Sequence, residues 1–275
     1  MSNPPSPTER AARQREVVQA LSACVPSHAL LWQAEDTVPY ECDGLTAYRQ
    51  RPLVVCLPET EEQVQAVLRT CHRLGVPVVA RGAGTGLSGG AMPHALGVTL
   101  SLAKFNRILR VDPASRTATV QCGVRNLAIS EAAAAHGLYY APDPSSQIAC
   151  TIGGNVAENS GGVHCLKYGL TLHNVLKVKG FTVEGEPVEF GGDALDAPGY
   201  DLLALAVGSE GMLAVTTEVT VKLTPKPQLA LCIMASFADV RHAGDAVAAI
   251  IAQGIIPAGL EMMDKPMTAA VEDFV

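Results

Sequence analysis

The sequence is poor in charge, in aromatic side chains and in long apolar runs. Charged residues make up 17% of its 275 residues and aromatic residues 4%, whereas about a quarter of an ordinary soluble domain is charged. No apolar run reaches the roughly 18 residues that cross a bilayer, so no transmembrane segment is expected. Twenty Lys and Arg against 27 Asp and Glu give a formal net charge of -7 without a basic cluster. That balance argues against nucleic-acid binding.

Two further features are missing. Residues 1–16 are rich in proline and then in arginine, without the apolar core of a secretory signal, so we expect a cytoplasmic protein. The eight cysteines are scattered and contain no C-x-x-C pair, which predicts neither a zinc site nor an iron–sulfur cluster, and no other metal site is predicted. We interpret the cysteines as buried, small apolar side chains.

What the sequence does contain is an alternation of short strands and helices. Apolar runs of five to eight residues are typical of strands, and residues 60–74 carry a capping-box pair, Thr60 and Gln63, at the start of a helix. The pattern predicts helices over 8–24, 60–74 and 126–136, and strands over 53–57, 77–80, 98–102, 108–111, 117–121, 175–183, 187–190 and 213–223. Residues 139–162 show no clear period, which indicates a long functional loop.

Paired prolines, Pro225 and Pro227, predict a domain boundary. Beyond them the pattern predicts a strand over 229–237, a helix over 239–253, a strand over 255–263 and a helix over 266–275. The chain is thereby divided into an N-terminal helix with an irregular segment (1–44), a main domain (45–227) and a partial C-terminal unit (228–275). A unit of about 48 residues is too small to bury a good core alone.

The strongest local signal is RGAGTGLSGG at residues 81–90, directly after a predicted strand. Closely spaced glycines let successive backbone N–H groups turn toward one anion, such as a pyrophosphate. A plain flexible loop is the alternative. A dinucleotide-binding Rossmann fingerprint fits poorly, because Leu87 stands where the third glycine belongs and Pro93 leaves little room for a helix. Ser88 matches the nucleophile-elbow pattern of hydrolases, but no helix is predicted after it.

Two more loops combine glycine with polar residues. Residues 141–162 contain glycine pairs at 153–154 and 161–162 among Ser, Thr and Asn side chains, and residues 208–211 read GSEG. Each of the three loops borders a predicted strand. One large ligand that passes several strand ends explains them better than three unrelated turns.

The same segments carry a family resemblance. RGAGTGLSGG, then PDPSS followed by TIGGNVAENSGGVHCLKYG, then GSEGMLAVTTE, resemble the FAD-linked oxidases of the vanillyl-alcohol oxidase (PCMH-type) superfamily, and within it the flavoprotein D subunits of glycolate oxidases. The resemblance implies an α+β fold: a PCMH-type FAD-binding domain of two α/β subdomains with FAD between them, followed by the start of an α/β cap domain. Family members are about twice as long, so the chain is expected to lack their C-terminal half.

The resemblance also implies cofactor contacts. Around the FAD pyrophosphate it places Arg81, Gly82, Ala83, Gly84, Thr85, Gly86, Leu87 and Ser88. Around the ribityl chain and the isoalloxazine it places Asp143, Pro144, Ser145, Ser146, Gln147, Ile148, Ala149, Glu158, Asn159, Ser160 and Gly161. The glycine pair Gly153 and Gly154 is also expected to contact the cofactor, because glycine permits close approach of the backbone to a flat ligand. Near the adenine half the resemblance places Glu210, Gly211, Met212, Leu213, Ala214, Val215 and Thr216. Members that attach FAD covalently often carry His where this chain has Thr85, so non-covalent FAD is expected.

The activity implied is oxidation of a small 2-hydroxy acid, glycolate to glyoxylate, by hydride transfer to the flavin. The family's catalytic residues lie in the half that is missing here. His164 is a candidate within this chain, but nothing in the sequence gives it a partner, and Glu131, Asp143 and Glu210 have no evident mate either.

Family members work with an iron–sulfur subunit and a second flavoprotein subunit, which implies a location in the cytoplasm or at the periphery of the inner membrane. Two alternatives remain open for the function. One is a D-lactate or D-2-hydroxyglutarate dehydrogenase, and the other is a non-catalytic FAD-binding or assembly subunit.

Overall fold

A computed structural model describes residues 6–193 and 199–274. Its α-helices are α1 Pro7–Leu21, α2 Ala34–Thr37, α3 Glu61–Leu74, α4 Asn126–Ala133, α5 Ile152–Glu158, α6 Cys165–Tyr168, α7 Leu202–Ala206, α8 Val240–Ala252 and α9 Lys265–Phe274. Its strands are β1 Leu30–Leu31, β2 Val54–Cys56, β3 Val78–Arg81, β4 Val98–Ser101, β5 Ile108–Asp112, β6 Thr117–Gln121, β7 Leu138–Tyr139, β8 Val175–Phe181, β9 Pro187–Gly191, β10 Val215–Lys222 and β11 Thr224–Pro225. The first residues of the proline-rich segment (1–5) and the predicted helix end at 275 lie outside the described residues.

The first subdomain is a four-stranded sheet in the order β1-β2-β4-β3. Strands β2 and β3 both pair with β4 in parallel, and α3 is the crossover helix that parallel strands require. The predicted capping box is half formed. Thr60 accepts the Gln63 backbone N–H, but the Gln63 side chain accepts the N–H of Glu59 instead. Leu53 and Leu100 are fully buried against α1 and α3.

The second subdomain is a five-stranded antiparallel sheet in the order β5-β6-β10-β8-β9. Burial alternates along β6 and β10, as expected when one face of a sheet packs on a core. The core contains Val120, Ile129, Val156 and Val219, so α4 and α5 cover this face. The predicted α+β fold with two subdomains is confirmed.

Two local predictions were wrong in part. Residues 139–162 are not a continuous loop, because they contain α5, whose glycine pair hides the helical pattern of buried Ile152 and Val156. The two-residue strand β1 was too short to show a period, yet it pairs with β2. The pairing of β11 with β7 lies inside the predicted main domain (45–227).

The C-terminal segment, residues 228–274, contains α8 and α9 as predicted, with Asp239 accepting the His242 N–H at the start of α8. The strands predicted over 229–237 and 255–263 were wrong, because all of these residues are described and none forms a strand. No residue of the segment is buried. A strand needs a neighbour for its backbone hydrogen bonds, and the segment meets none.

The cysteines are all free, but they are not uniformly buried as expected. Cys56, Cys71, Cys122 and Cys150 are buried, whereas Cys165 and Cys232 are exposed. Among the described residues, no helix is long and apolar enough to cross a membrane.

Candidate functional site

A cleft lies between the two subdomains, where the glycine loop after β3, the helix α5 and the start of β10 face each other. Its walls contain sixteen of the residues predicted to contact a cofactor: Arg81, Gly82, Ala83, Gly84, Thr85, Gly86, Ser146, Gly153, Gly154, Glu158, Ser160, Glu210, Gly211, Ala214, Val215 and Thr216. The fold therefore brings the three glycine-rich loops together.

The glycine loop is shaped by Arg81 beneath it. The Arg81 side chain is 9% exposed and donates to the carbonyls of Cys42 at 2.9 Å and Ala91 at 3.4 Å. Gly84 has φ of 70° and lies directly on this guanidinium, so a side chain there would clash with it. Burial lowers the pKa of Arg81, but an Arg remains protonated in proteins. The guanidinium therefore holds the loop together through the carbonyls of Cys42 and Ala91.

Asp43 holds the other end of this loop, a role that the sequence does not predict. Its carboxylate is 5% exposed and accepts the Gly89 N–H and the Leu45 N–H, each at 2.9 Å. Gly44 packs so closely that a Cβ would lie 2.8 Å from the Thr85 carbonyl oxygen. An Asp-Gly pair predicts a turn. The contact of this turn with a loop about 40 residues later depends on the fold, so the local sequence does not predict it.

Two buried polar atoms in the cleft have no hydrogen-bond partner among the described residues. Thr151 and Asn155 are 7% and 2% exposed, and the Thr151 Oγ1 and Asn155 Nδ2 atoms make no hydrogen bond within the described residues. A Cβ on Gly82 would strike Thr151 Oγ1, so the glycine keeps this space open. An unpaired buried polar group costs about 1–3 kcal/mol. The cleft is thus suited to a ligand with hydrogen-bonding groups.

Carboxylates border the same loop. A Cβ on Gly90 would lie 2.5 Å from Glu158 Oε1 and 3.9 Å from Glu210 Oε2. Burial, and secondly the charges of Glu210 and Asp43, raise the pKa of Glu158. This part of the cleft therefore makes Glu158 harder to ionise than an exposed carboxyl group.

The remaining predicted residues lie outside the cleft walls: Leu87, Ser88, Asp143, Pro144, Ser145, Gln147, Ile148, Ala149, Asn159, Gly161, Met212 and Leu213. The segment Asp143–Ala149 contributes only Ser146. Asn159 ends α5 at a φ of 51° and accepts the Leu172 N–H at 2.9 Å. Met212 and Leu213 line a shallow depression beside the cleft.

The expectation that His164 and Asp143 lack partners was wrong. His164 Nδ1 lies 2.6 Å from Asp143 Oδ2, and the His164 backbone N–H donates to Asp143 Oδ1 at 3.3 Å. Glu131 also has a partner, Arg125, at 3.7 Å. The two members of the first pair are 21 residues apart, so only the fold brings them together.

The structure supports neither the hydrolase motif nor the Rossmann motif at the glycine loop. Residues 82–97 are all described and contain no helix, whereas both motifs need a helix directly after the loop.

Comparisons with known proteins agree with this geometry. A family model described as FAD binding domain matches residues 52–191, and one described as FAD linked oxidases, C-terminal domain, matches residues 226–275. The chain is 64% identical over 259 residues to the glycolate oxidase subunit GlcD of Escherichia coli (strain K12), which covers 94% of this chain and 52% of that protein. It is 38% identical over 213 residues to a D-lactate dehydrogenase of Archaeoglobus fulgidus, covering 77% of this chain and 47% of the relative.

A solved structure of an alkyldihydroxyacetonephosphate synthase superimposes with a TM-score of 0.76 at 22% identity, covering 94% of this chain and 48% of the other. This likeness supports the fold. The chain spans about half the length of the curated relatives it matches. The match over 52–191, followed by the match over 226–275, shows that the chain belongs to the FAD binding domain family and continues into the C-terminal domain of the FAD linked oxidases.

Proposed function

We propose that the cleft binds FAD without a covalent bond, in a protein that oxidises glycolate to glyoxylate. The observation that carries the proposal is the pair of unpartnered polar atoms, Thr151 Oγ1 and Asn155 Nδ2, opposite a glycine loop kept free of side chains. FAD offers a diphosphate, hydroxyl groups and a heterocycle to such a cleft. When bound, it supplies the acceptor for a hydride from carbon.

The residues present fit this cofactor. Backbone N–H groups of the loop at 82–86 would hold the diphosphate, and Arg81 keeps that loop in shape through the Cys42 and Ala91 carbonyls. Thr151 and Asn155 would pair with polar atoms along the ligand. The inferred function of these residues is to bind, orient and exclude water.

The described residues that line the cleft include no reactive nucleophile that could bond covalently to the flavin. The described lining residues include no histidine. Burial raises the pKa of the Cys122 thiol to about 12 and also raises the pKa of Cys150. Both thiols stay protonated at neutral pH, and the thiolate is the reactive form.

The substrate and partners follow from the relatives. The 64% identity to a glycolate oxidase subunit favours glycolate, and the 38% identity to a D-lactate dehydrogenase favours D-lactate as the second candidate. A D-2-hydroxyglutarate dehydrogenase, 37% identical over 211 residues, makes a third candidate. A subunit of glycolate oxidase works in a complex, so we propose an iron–sulfur subunit and a second flavoprotein subunit as partners, in the cytoplasm or at the inner membrane.

One experiment tests this function. The FAD-loaded protein at its full natural length, with the C-terminal domain included, is mixed anaerobically with glycolate, D-lactate or D-2-hydroxyglutarate, and the flavin absorption near 450 nm is followed. We expect glycolate to bleach the flavin fastest. Faster bleaching by another acid would transfer the assignment to that dehydrogenase. Bound FAD that none of the three acids bleaches would favour the non-catalytic assembly subunit.

A further inference from the structure

The backbone N–H groups in the middle of the glycine loop have no hydrogen-bond partner among the described residues. None of the N–H groups of residues 83–88 donates within that part of the chain, whereas the Gly89 N–H donates to the Asp43 carboxylate at 2.9 Å. Free N–H groups that turn toward one point suit an anion. Because they do not bond to the protein, contacts from other segments must hold the shape of the loop.

Three consecutive residues, called the clamp below, hold the loop from outside: Cys42, Asp43 and Gly44. The Cys42 carbonyl accepts from the Arg81 side chain at the start of the loop, at 2.9 Å, and the Asp43 carboxylate accepts the Gly89 N–H at its end. The glycine of the clamp packs on the middle, where a Cβ would lie 2.8 Å from the Thr85 carbonyl oxygen. The clamp therefore contacts the beginning, the middle and the end of the loop.

The clamp belongs to a closed loop, residues 41–50, whose two ends lie together. The Gln50 N–H donates to the Glu41 carbonyl at 2.8 Å. Just beyond this loop, Arg10 of α1 donates to the Pro52 carbonyl, also at 2.8 Å. Compact loops with joined ends are frequently functional. The closed ends and the contact with α1 give the clamp a fixed base.

The Asp43 carboxylate is suited to hold the loop rather than to contact the cofactor. One of its oxygens accepts the Gly89 N–H and the other accepts the Leu45 N–H, and the residue is 5% exposed. An ionised carboxylate is a strong acceptor of N–H bonds, but its charge repels a diphosphate at close range. No clamp residue lines the cleft, so Asp43 acts on a ligand through the loop.

We propose that the clamp fixes the glycine loop in the conformation that receives the FAD diphosphate, with Asp43 as the positioning residue. The inference rests on the proposed function, FAD binding in the cleft. The clamp lies outside residues 52–191, which match the FAD binding domain family, so it adds a further segment to the cofactor site. A loop that is already ordered need not lose conformational freedom when the ligand binds, and this strengthens binding.

The first test is the FAD affinity of Asp43→Ala, measured by flavin fluorescence titration. Asp112→Ala is the matched control, because Asp112 also accepts two backbone N–H groups, those of Ala114 and Ser115, and does not line the cleft. Loss of a hydrogen bond to a charged group corresponds to about a 10- to 100-fold change in affinity. We expect that loss in Asp43→Ala and none in Asp112→Ala. Asp43→Asn keeps one acceptor oxygen and should lose less.

The second test separates positioning of the loop from general damage to the site. At saturating FAD, the ³¹P resonances of the bound diphosphate should shift in both Asp43 variants, while the visible absorption bands of the isoalloxazine keep their positions. Unmoved ³¹P resonances would overturn the proposal, and so would isoalloxazine bands that change together with them, since a merely structural role would disturb the whole site. If Asp43→Ala does not fold, Asp43→Asn serves for both tests.

The failure of this inference and the failure of the proposed function give different results. If the wild-type chain takes up no FAD at all, the proposed function fails. If the wild-type chain binds FAD and Asp43→Ala binds it equally well, only the present inference fails.

Discussion

The main domain and the C-terminal segment differ in how their elements are stabilised. In the main domain, two sheets and their helices bury side chains such as Leu53, Leu100 and Val219 completely. In residues 228–274 no side chain is buried, and Leu231 and Ile233 are 81% and 89% exposed. The same kinds of apolar residue thus form a core in one region and remain on the surface in the other.

The comparison shows which elements depend on distant partners. Helix α8 forms in the exposed segment because its hydrogen bonds are local and Asp239 caps it. The strands predicted there do not form, since no neighbouring strand supplies partners. Strand β10, by contrast, is paired on both sides, with β6 and β8. Helices follow from local sequence, whereas strands need the rest of the sheet.

The largest expected effect comes from truncating one leucine in each region. Leu100→Ala should destabilise the protein by about 2–5 kcal/mol, because it removes a fully buried side chain and leaves a cavity. Leu231→Ala should change the free energy of unfolding by no more than about 0.5 kcal/mol. Urea denaturation followed by circular dichroism measures both. Equal losses would mean that the segment is packed like the main domain.

A second substitution tests the cleft itself. Gly82→Ala would place a methyl group on Thr151 Oγ1, so we expect FAD affinity to fall about tenfold or more, which corresponds to about 1.4 kcal/mol. Gly192→Ala is the matched control, because no atom of the described residues lies within 4 Å of its added Cβ. Flavin fluorescence titration gives both dissociation constants. Unchanged affinity in Gly82→Ala would place the cofactor elsewhere.

These cleft residues show how far the sequence could predict the site. The three glycine loops were predicted because glycine clusters after strands are local features. The family resemblance supplied the individual contact residues, and sixteen of those lie in the walls of the cleft. Asp43 and the Asp143–His164 contact were not predicted, because each joins positions 21 or more residues apart. The strands at 229–237 and 255–263 were wrong because an apolar run does not specify whether a partner strand exists.

A third, smaller effect concerns the charge of the cleft. The raised pKa of Glu158 means that the folded state favours its protonated form, so its ionisation weakens the fold as pH rises from the ordinary value near 4.5 through the raised value. FAD affinity should fall over the same window, because a second negative charge approaches the diphosphate. Glu158→Gln should remove this pH dependence and bind FAD more tightly at neutral pH.

Equilibrium titrations between pH 4.5 and 8 would measure this effect, with exposed Glu184→Gln as the control. A pH dependence that persists unchanged in Glu158→Gln would contradict the role of this carboxylate.

The smallest effect is expected from removing the C-terminal segment. A chain that ends at residue 227 keeps both sheets and the β7–β11 pairing, so its melting temperature and FAD affinity should match those of the whole chain. Differential scanning calorimetry tests this. A melting temperature lowered by several degrees would show that the segment stabilises the main domain, and the contrast between the two regions would disappear.

One measurement directly tests whether FAD binds between the two subdomains. The purified chain is incubated with FAD, freed of unbound flavin by gel filtration, and its visible spectrum is recorded before and after denaturation. We predict about one flavin per chain, with absorption bands that pass entirely into the supernatant when the protein is precipitated. A colourless protein that takes up no FAD would contradict the account, and flavin that stays with the precipitate would contradict its non-covalent binding.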